Sequence, residues 1–474
     1  MICITGQEKT VSSLQQRLLK YDKYPLQEVR LDLLDRIDES VFPLLRSPKL
    51  IVTCRNKEQG GGFVGDESAR FKILRRALEQ KPGYLDVEFS APKELRDNFF
   101  AHRESTRLIV SWHYFKTEKH SFELPLGLDK ENADIFKVAV AVEDAAELGG
   151  ILDLEFPPDR PVLRIGMGDA GVLSRVLYQR FGSPWTYVIP EKTQPVAPGQ
   201  VSVSEAEKWR VAKSAELTPL GVVGGPQVMK SLGQRVYNRL FVSRELPFVY
   251  LPIVTNRPTS VLSVLKRLGF AGCSVTMPAK EELFAEVDNL VPPADKVRAV
   301  NTILFKDGAV VGLNTDVVAV KVLLSEQRGS TVLVLGAGGA ARAAVTALLS
   351  LDCKVTLASR NSKRASLLAE EFQVGFVTWE KRGDVSFNVL VNATPCGSDG
   401  VSTPMPKNMD WQGKVVLDAV HVEDTTPLLR DVIDGGGHGM NGVSWWLNQG
   451  ALQMEAFLGK RFSVEDIEAV RCEK

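Results

Sequence analysis

Short apolar runs alternate with amphipathic segments through the first 200 residues. Eight runs read as strands: 2–5 (ICIT), 26–31 (LQEVRL), 49–54 (LIVTC), 84–89 (YLDVEF), 107–112 (RLIVSW), 134–140 (DIFKVAV), 162–167 (VLRIGM) and 185–189 (WTYVI). Helical patterns such as 66–80 and 169–181 fall between them. Alternating strand and helix predicts a parallel sheet, and eight such units predict a (β/α)8 barrel near the lower size limit of that fold. Strand counting alone leaves a doubly wound sheet open. Residues 201–218 read as one charged amphipathic helix, the last barrel helix or a connector. A Pro/Gly-rich run, TPLGVVGGPQ at 218–227, then restarts the pattern, and the boundary between the two halves is expected there.

Length and composition agree with more than one domain. A chain of 474 residues exceeds what one core serves, so two or three domains are expected. Lys+Arg and Asp+Glu both total 58. No global basic field therefore exists to recruit nucleic acid or anionic lipid, and an anionic ligand must be met by local cations. The six cysteines are scattered without a C-x-x-C pair, which predicts free thiols and neither a disulfide framework nor a metal site. The N-terminus MICITGQEKT has no signal or transit pattern and no apolar run is long enough to span a bilayer. A cytoplasmic protein is expected.

Candidate chemistry falls at the ends of the strands. In EVRLD at 28–32 the period of two puts Glu28, Arg30 and Asp32 on one face. Arg55 follows LIVTC, Glu88 closes YLDVEF, His113 follows RLIVSW and Met167 ends VLRIGM. Barrel active sites are built at that rim from several strands, so this placement favours the barrel over the doubly wound sheet. Lys137 lies inside DIFKVAV, where an ionisable group costs desolvation unless paired or useful. It is either inward filling paired with Glu28 or Glu88, or an amine freed by burial and the nearby Arg30 cation for imine formation. The pattern leaves both open. His113, by itself, reads as a satisfied rim histidine.

The pieces EVRLD (28–32), TCRNKEQGG (53–61), SWHYF (111–115), ADIFKVAV (133–140), RIGMGDAGVLSR (164–175) and APGQ (197–200) resemble the type I 3-dehydroquinate dehydratases, in that family's order. The resemblance implies that Lys137 forms an imine with the substrate ketone and that His113 acts as base and then acid. It implies that Glu28, Arg30, Arg55, Arg175 and Gln200 bind the substrate's carboxylate and hydroxyls. The chain departs from the family at Gln59, usually Glu, with Glu58 one residue earlier, and at Val196, often Ser.

The second half carries a phosphate signal. Segment 331–346 reads TVLVLGAGGAARAAVT: a strand, glycines at 336, 338 and 339, then a small-residue helix. Such a turn lets the backbone approach a pyrophosphate at a helix N-terminus. The next strand, KVTLA, ends at Ser359-Arg360-Asn361, followed by Lys363 and Arg364. A basic cluster there, where an NAD site would carry an acid, predicts the 2′-phosphate of NADP.

Around this turn, GGPQVMKSLGQRVYN (224–238), GCSVTMPAK (272–280), AVNT (299–302), GLNTD (312–316), VNATPCG (391–397), DAVHVEDTTPLL (418–429) and NGVSWWLNQGA (441–451) resemble shikimate dehydrogenases. The implied domains are a dehydratase barrel over 1–214, a substrate-binding domain over 219–317 completed by 441–474, and a Rossmann NADP domain over 318–440. Lys280 and Asp316 are the implied catalytic pair, with Ser231, Thr276, Asn301 and Gln449 holding the substrate. Gly336, Gly338, Gly339, Ala340, Ser359, Arg360, Arg364, Asn392 and Thr394 are the implied cofactor residues. Departures stand at Gly233, Ser274, His421 and Trp445, where the family usually has Ser, Asn, Tyr and Met. Dehydration of 3-dehydroquinate yields the ketone that a shikimate dehydrogenase reduces, so the two resemblances imply consecutive steps on one metabolite. The alternatives are a catabolic quinate/shikimate dehydrogenase fusion and a non-catalytic sensor; the presence of Lys137, His113 and Lys280 speaks against the sensor.

Overall fold

A computed structural model describes residues 1–115, 123–193, 195, 197–422 and 425–472. Val196, and Glu423 and Asp424 of the 418–429 run, lie outside the described residues. The chain forms two compact units. One holds Met1–Gly221, Pro226–Gln234 and Phe241–Phe270; the other holds Val222–Gly225, Arg235–Leu240 and Ala271–Lys474.

Eight strands build the first unit: β1 Ile2–Ile4, β2 Leu26–Arg30, β3 Leu50–Thr53, β4 Tyr84–Glu88, β5 Arg107–Tyr114, β6 Ile135–Ala141, β7 Val162–Met167 and β8 Thr186–Ile189. They pair in parallel in the order β7-β6-β5-β4-β3-β2-β1-β8, with the two-residue strand Val201–Ser202 beyond β8. From β1 to β7 each strand lies beside the next in sequence, and β8 lies beside β1, the order of a parallel β/α barrel, with β7 the end strand of the hydrogen-bonded sheet. Every strand sends side chains into one shared core: Cys3, Leu26, Ile51, Tyr84, Ile109, Ile135, Leu163 and Tyr187 belong to a single buried cluster. The ring of Tyr84 in β4 and that of Trp185, just before β8, lie with centres 5.2 Å apart across it. The sheet therefore curls until its inner faces touch.

Two expected helices are broken. The segment read as helix 169–181 is a 3-10 turn, the helix Val172–Val176 and a second 3-10 turn. Ser174 explains the first break: its hydroxyl donates to Gly171 O at 2.8 Å and accepts from Gly166 N at 2.7 Å, tying the turn to β7. The segment read as helix 201–218 holds one α-helix, Val203–Lys208, which a capping box of Ser202 and Glu205 starts, and a 3-10 turn at Val211–Lys213. The helix stops where Trp209 buries and Arg210 turns left-handed at φ 49°, sending its guanidinium to Leu246 O and Phe248 O. Tertiary partners outweighed the amphipathic pattern.

Strand Phe248–Val254 and helix Pro258–Arg267 also belong to this unit. Asp144, buried just beyond β6, accepts from Thr255 Oγ1 at 2.8 Å and Asn256 N at 2.7 Å. Arg257 pairs with neighbouring Glu147 at 2.9 Å.

In the second unit, Gly272–Val275, Thr302–Lys306 and Ala309–Leu313 form an antiparallel meander, with Asn289–Leu290 parallel to the last. A six-stranded parallel sheet follows: Gly375–Thr378, Lys354–Ser359, Thr331–Leu335, Val389–Asn392, Val415–Asp418 and His438–Met440, in that spatial order. Counted along the chain this is 3-2-1-4-5-6, the doubly wound order that opens a crevice at the C-terminal end of its first strand.

Where β7 ends, Gly168 N donates to Pro198 O at 3.0 Å and holds the 197–200 loop over the barrel mouth. Gly199 has φ +70°, and a Cβ there would collide with Gly168 O and C. Gly199→Ala is expected to cost about 1–3 kcal/mol of stability through backbone strain. A lowered Tm in calorimetry checks it; an unchanged Tm refutes the close packing.

Candidate active sites

The mouth of the barrel gathers Lys137, His113, Glu28, Arg30, Arg55, Arg175 and Gln200 around one pocket. All seven expected dehydratase residues therefore share a site. Alternation brings most of them there: Glu28 and Arg30 on β2, His113 on β5 and Lys137 on β6 share the inward parity of Leu26, Ile109 and Ile135.

Lys137 is buried. Its ammonium lies 2.8 Å from Asp86 Oδ2 and 3.9 Å from Glu28 Oε1, and 4.7 Å from the centre of the Tyr187 ring. Of the two carboxylates named as alternative partners, Glu28 faces Lys137 and Glu88 is engaged elsewhere: it accepts from Arg70 at 2.6 Å and from Asn56 N at 3.0 Å. Asp86, two residues before it on the same face, is the partner that the sequence reading missed. Its one signal was an acid at the inward parity of YLDVEF. Asp86 also accepts from Ser111 Oγ at 2.6 Å and Arg55 Nη2 at 3.2 Å. Burial pushes its carboxyl up, but Lys137 and Arg55 outweigh burial and hold it below the usual range. Glu28 is fixed by Thr5 at 2.6 Å and Thr53 at 3.0 Å.

The arginines differ in how they are satisfied. Arg30 is forked onto Asp32 at 3.0 and 2.6 Å. Arg175, on helix Val172–Val176, is buried and has no carboxylate partner among the described residues. Its Nη2 reaches Pro198 O at 3.4 Å and its Nε is unpartnered. Burial alone lowers its pKa to about 10. A buried cation of this kind is a site for an anion.

His113 is held by its backbone: its N–H donates to Gln59 Oε1 at 3.0 Å. The amide of Gln59 thus supplies the acceptor that a carboxylate would, while Glu58 is exposed. Burial, reinforced by Arg55, Lys137 and Arg30, holds the imidazole well below its ordinary pKa of 6.5, and Nδ1 is unpartnered. The ring is neutral near pH 7 and able to accept a proton.

In the second unit Lys280 Nζ meets Asp316 Oδ2 at 2.6 Å. Asp316 lies in the first turn of helix Thr315–Leu323, where the helix dipole favours a carboxylate. Its other oxygen accepts from the indole N–H of Trp445 at 3.0 Å. Asn301 and Gln449 meet at 3.3 Å and both reach Thr315 Oγ1. Ser274, at the position usually Asn, donates to Gln453 at 2.8 Å, which in turn donates to Asn301 O. Thr276 closes strand Gly272–Val275. Ser231 lies in the first unit, where its hydroxyl is buried without a partner. His421 feels both Asp316 and Lys280; desolvation, ahead of its bond to Gly442, lowers its pKa.

The glycine-rich turn fits a pyrophosphate. Gly336 has φ +116°, and a Cβ there would come within 2.9 Å of Ala393 O. A Cβ on Gly338 would meet nothing within 4 Å, so its face is open. Gly339 and the partly buried Ala340 start helix Gly339–Leu349, whose N-cap has no side-chain acceptor. A Cβ on Gly339 would lie 3.0 Å from Lys280 Cβ, placing the turn against the Lys280–Asp316 pair. Arg360 is exposed beyond Ser359, whereas Arg364 is tied to Glu281. Asn392 is wholly buried and bonded to Asp418, Cys396 O and Thr394; it shapes the loop from within.

Three family models match parts of the chain: type I 3-dehydroquinase over residues 2–211, shikimate dehydrogenase substrate binding domain over 222–303, and shikimate/quinate 5-dehydrogenase over 319–386. The bifunctional 3-dehydroquinate dehydratase/shikimate dehydrogenase of Arabidopsis thaliana is 28% identical across 92% of this chain and 77% of its own. The NADP(+) shikimate dehydrogenase of Maridesulfovibrio salexigens is 30% identical across 54% of this chain and 96% of its own. The Thermus thermophilus shikimate 5-dehydrogenase, solved with NADP(H) and shikimate, is 30% identical with a TM-score of 0.50, covering 54% of this chain and 98% of its own.

The lowered pKa of His113 sets a sign for acid sensitivity. The unfolded histidine takes a proton near 6.5 while the folded one resists it, so this contribution is present above pH 6.5 and lost as pH falls below. His113→Asn should flatten the loss of Tm between pH 7 and 5. An equal slope in both proteins would show that His113 is not held neutral.

Proposed function

The chain belongs to the family that joins a type I 3-dehydroquinase to a shikimate dehydrogenase, and we propose that each half works through the cluster just described. It dehydrates 3-dehydroquinate to 3-dehydroshikimate and reduces that ketone to shikimate with NADPH, within aromatic biosynthesis. The proposed domains are the barrel over 1–214, the substrate-binding domain over 219–317 with 441–474, and the cofactor domain over 318–440. Among the described residues no helix is long and apolar enough to cross a membrane, and with a balanced charge of 58 against 58 we place the protein in the cytoplasm without nucleic-acid or membrane partners.

The observation that carries the dehydratase reading is Lys137, inside the barrel between Asp86 and Glu28. Its amine attacks the substrate ketone, and water leaves as the imine forms; the ammonium proton has carboxylate acceptors at 2.8 and 3.9 Å. The imine acidifies the adjacent C–H. Neutral His113 takes that proton and returns it to the departing hydroxyl, which leaves as a second water. Water then hydrolyses the imine and frees Lys137. Arg175 meets the substrate carboxylate, with Arg30, Arg55, Glu28 and Gln200 on the hydroxyls.

In the second half the bound dinucleotide supplies the hydride. Gly336, Gly338, Gly339 and Ala340 would hold its pyrophosphate, and Ser359, Arg360 and Arg364 its 2′-phosphate, with Asn392 and Thr394 shaping the neighbouring loop. Arg364 has to release Glu281 to do so. Lys280 delivers a proton to the forming alkoxide and Asp316 balances its charge. Ser231, Thr276, Asn301 and Gln449 hold the substrate's carboxylate and hydroxyls.

Borohydride added with 3-dehydroquinate should leave a reduced adduct on Lys137, read by mass spectrometry. An adduct on another residue, or none, refutes the imine role. Lys280→Ala should abolish NADPH oxidation by 3-dehydroshikimate while dehydration continues. Arg360→Ala should raise the KM for NADPH by about 10–100-fold, the worth of a charge-assisted contact, and leave that for NADH unchanged. An equal rise for both cofactors would remove Arg360 from the 2′-phosphate site.

A further inference from the structure

We infer that Trp445 is a positioning residue for the reduction, acting through Asp316. The inference rests on Lys280 and Asp316 being the reducing pair. Trp445 stands in the second turn of helix Gly442–Leu458, and Asn441 caps that helix through Ser444 N at 3.0 Å. Trp445 is buried and belongs to the same apolar cluster as Val317 and Val320 of the helix bearing Asp316, and as Ala337 and Ala341 of the glycine turn and its helix. The indole N–H is therefore presented from a packed core. It donates to Asp316 Oδ1 at 3.0 Å, while Oδ2 of the same carboxylate takes Lys280 at 2.6 Å.

That division has a chemical consequence. The terminal torsion of an aspartate is broad and two-fold, so a carboxylate held only by the lysine could rotate when Lys280 turns to the substrate. An indole is a donor only. It pins one oxygen, cannot accept the proton in transit, and leaves the other facing Lys280. The charges of Asp316 and Lys280 also act on His421. Burial of an indole does not by itself bring such a partner: Trp209 is buried too, and its Nε1 has none. The contact is a property of this corner of the fold.

Trp445→Phe keeps an apolar aromatic ring, smaller than the indole, and removes the N–H. The expected result is a fall of about tenfold in kcat for NADPH-dependent reduction, with KM for 3-dehydroshikimate and NADPH within about twofold and dehydration unaltered. Asp316→Asn alone should lower kcat at least a hundredfold, and adding Trp445→Phe should then cost nothing further, since the indole acts through that carboxylate. An unchanged kcat, a rise confined to KM, or the same tenfold loss in the Asp316→Asn background overturns the inference while the pair stands. Full activity of Asp316→Asn overturns the pair and this inference together. If Trp445→Phe does not fold, the indole N–H resonances of Asp316→Ala decide: one shifted resonance supports the contact, and none shifted refutes it.

Discussion

A buried ammonium in the middle of a β-strand governs the first half of this enzyme. Lys137 sits where an apolar side chain would stabilise the barrel, and an unpaired charge there would cost several kcal/mol. The surrounding strands meet that cost: Asp86 from β4 and Glu28 from β2 face it, and Ser111, Thr5, Thr53 and Arg55 saturate those carboxylates. Every group that compensates Lys137 also restricts what can enter. The positive charges that balance Asp86 add to burial in holding His113 neutral, so one electrostatic arrangement acts on both Lys137 and His113. Arg175 is the exception. It is buried without a carboxylate among the described residues, and in the proposed dehydration the substrate carboxylate would complete the set.

The second half solves a related problem at lower depth. Lys280 is less buried than Lys137, and its partner Asp316 draws on a helix N-terminus and an indole N–H in place of a web of carboxylates. The glycine turn approaches Lys280 closely enough that a Cβ on Gly339 would crowd it. In the proposed reduction, phosphate recognition and proton delivery would therefore share one stretch of backbone. The contact of Arg364 with Glu281, the neighbour of Lys280, runs along the same edge.

The departures from the family pattern read differently once their contacts are known. Gln59 keeps an acceptor on the backbone of His113, so the lost carboxylate changes charge more than geometry. Ser274 is shorter than the asparagine it stands for, and Gln453 spans the difference to Asn301. Trp445 adds a donor where a methionine has none. Each is local chemistry that composition could not disclose.

By itself the sequence determined the alternation of strands and helices, the shared face of Glu28 and Arg30, the rim position of His113, the ionisable Lys137 inside an apolar strand, and the glycine turn with its basic neighbour. These are properties of period and of single residues, and they are carried along the chain. Only the tertiary structure decided that Lys137 pairs with Asp86 and not Glu88, that Arg364 is engaged by Glu281, and that the segments 169–181 and 201–218 break. Parity says which face a side chain takes, but a partner on another strand depends on register, curl and competing contacts. Arg70 claimed Glu88, and that left Asp86 to the lysine.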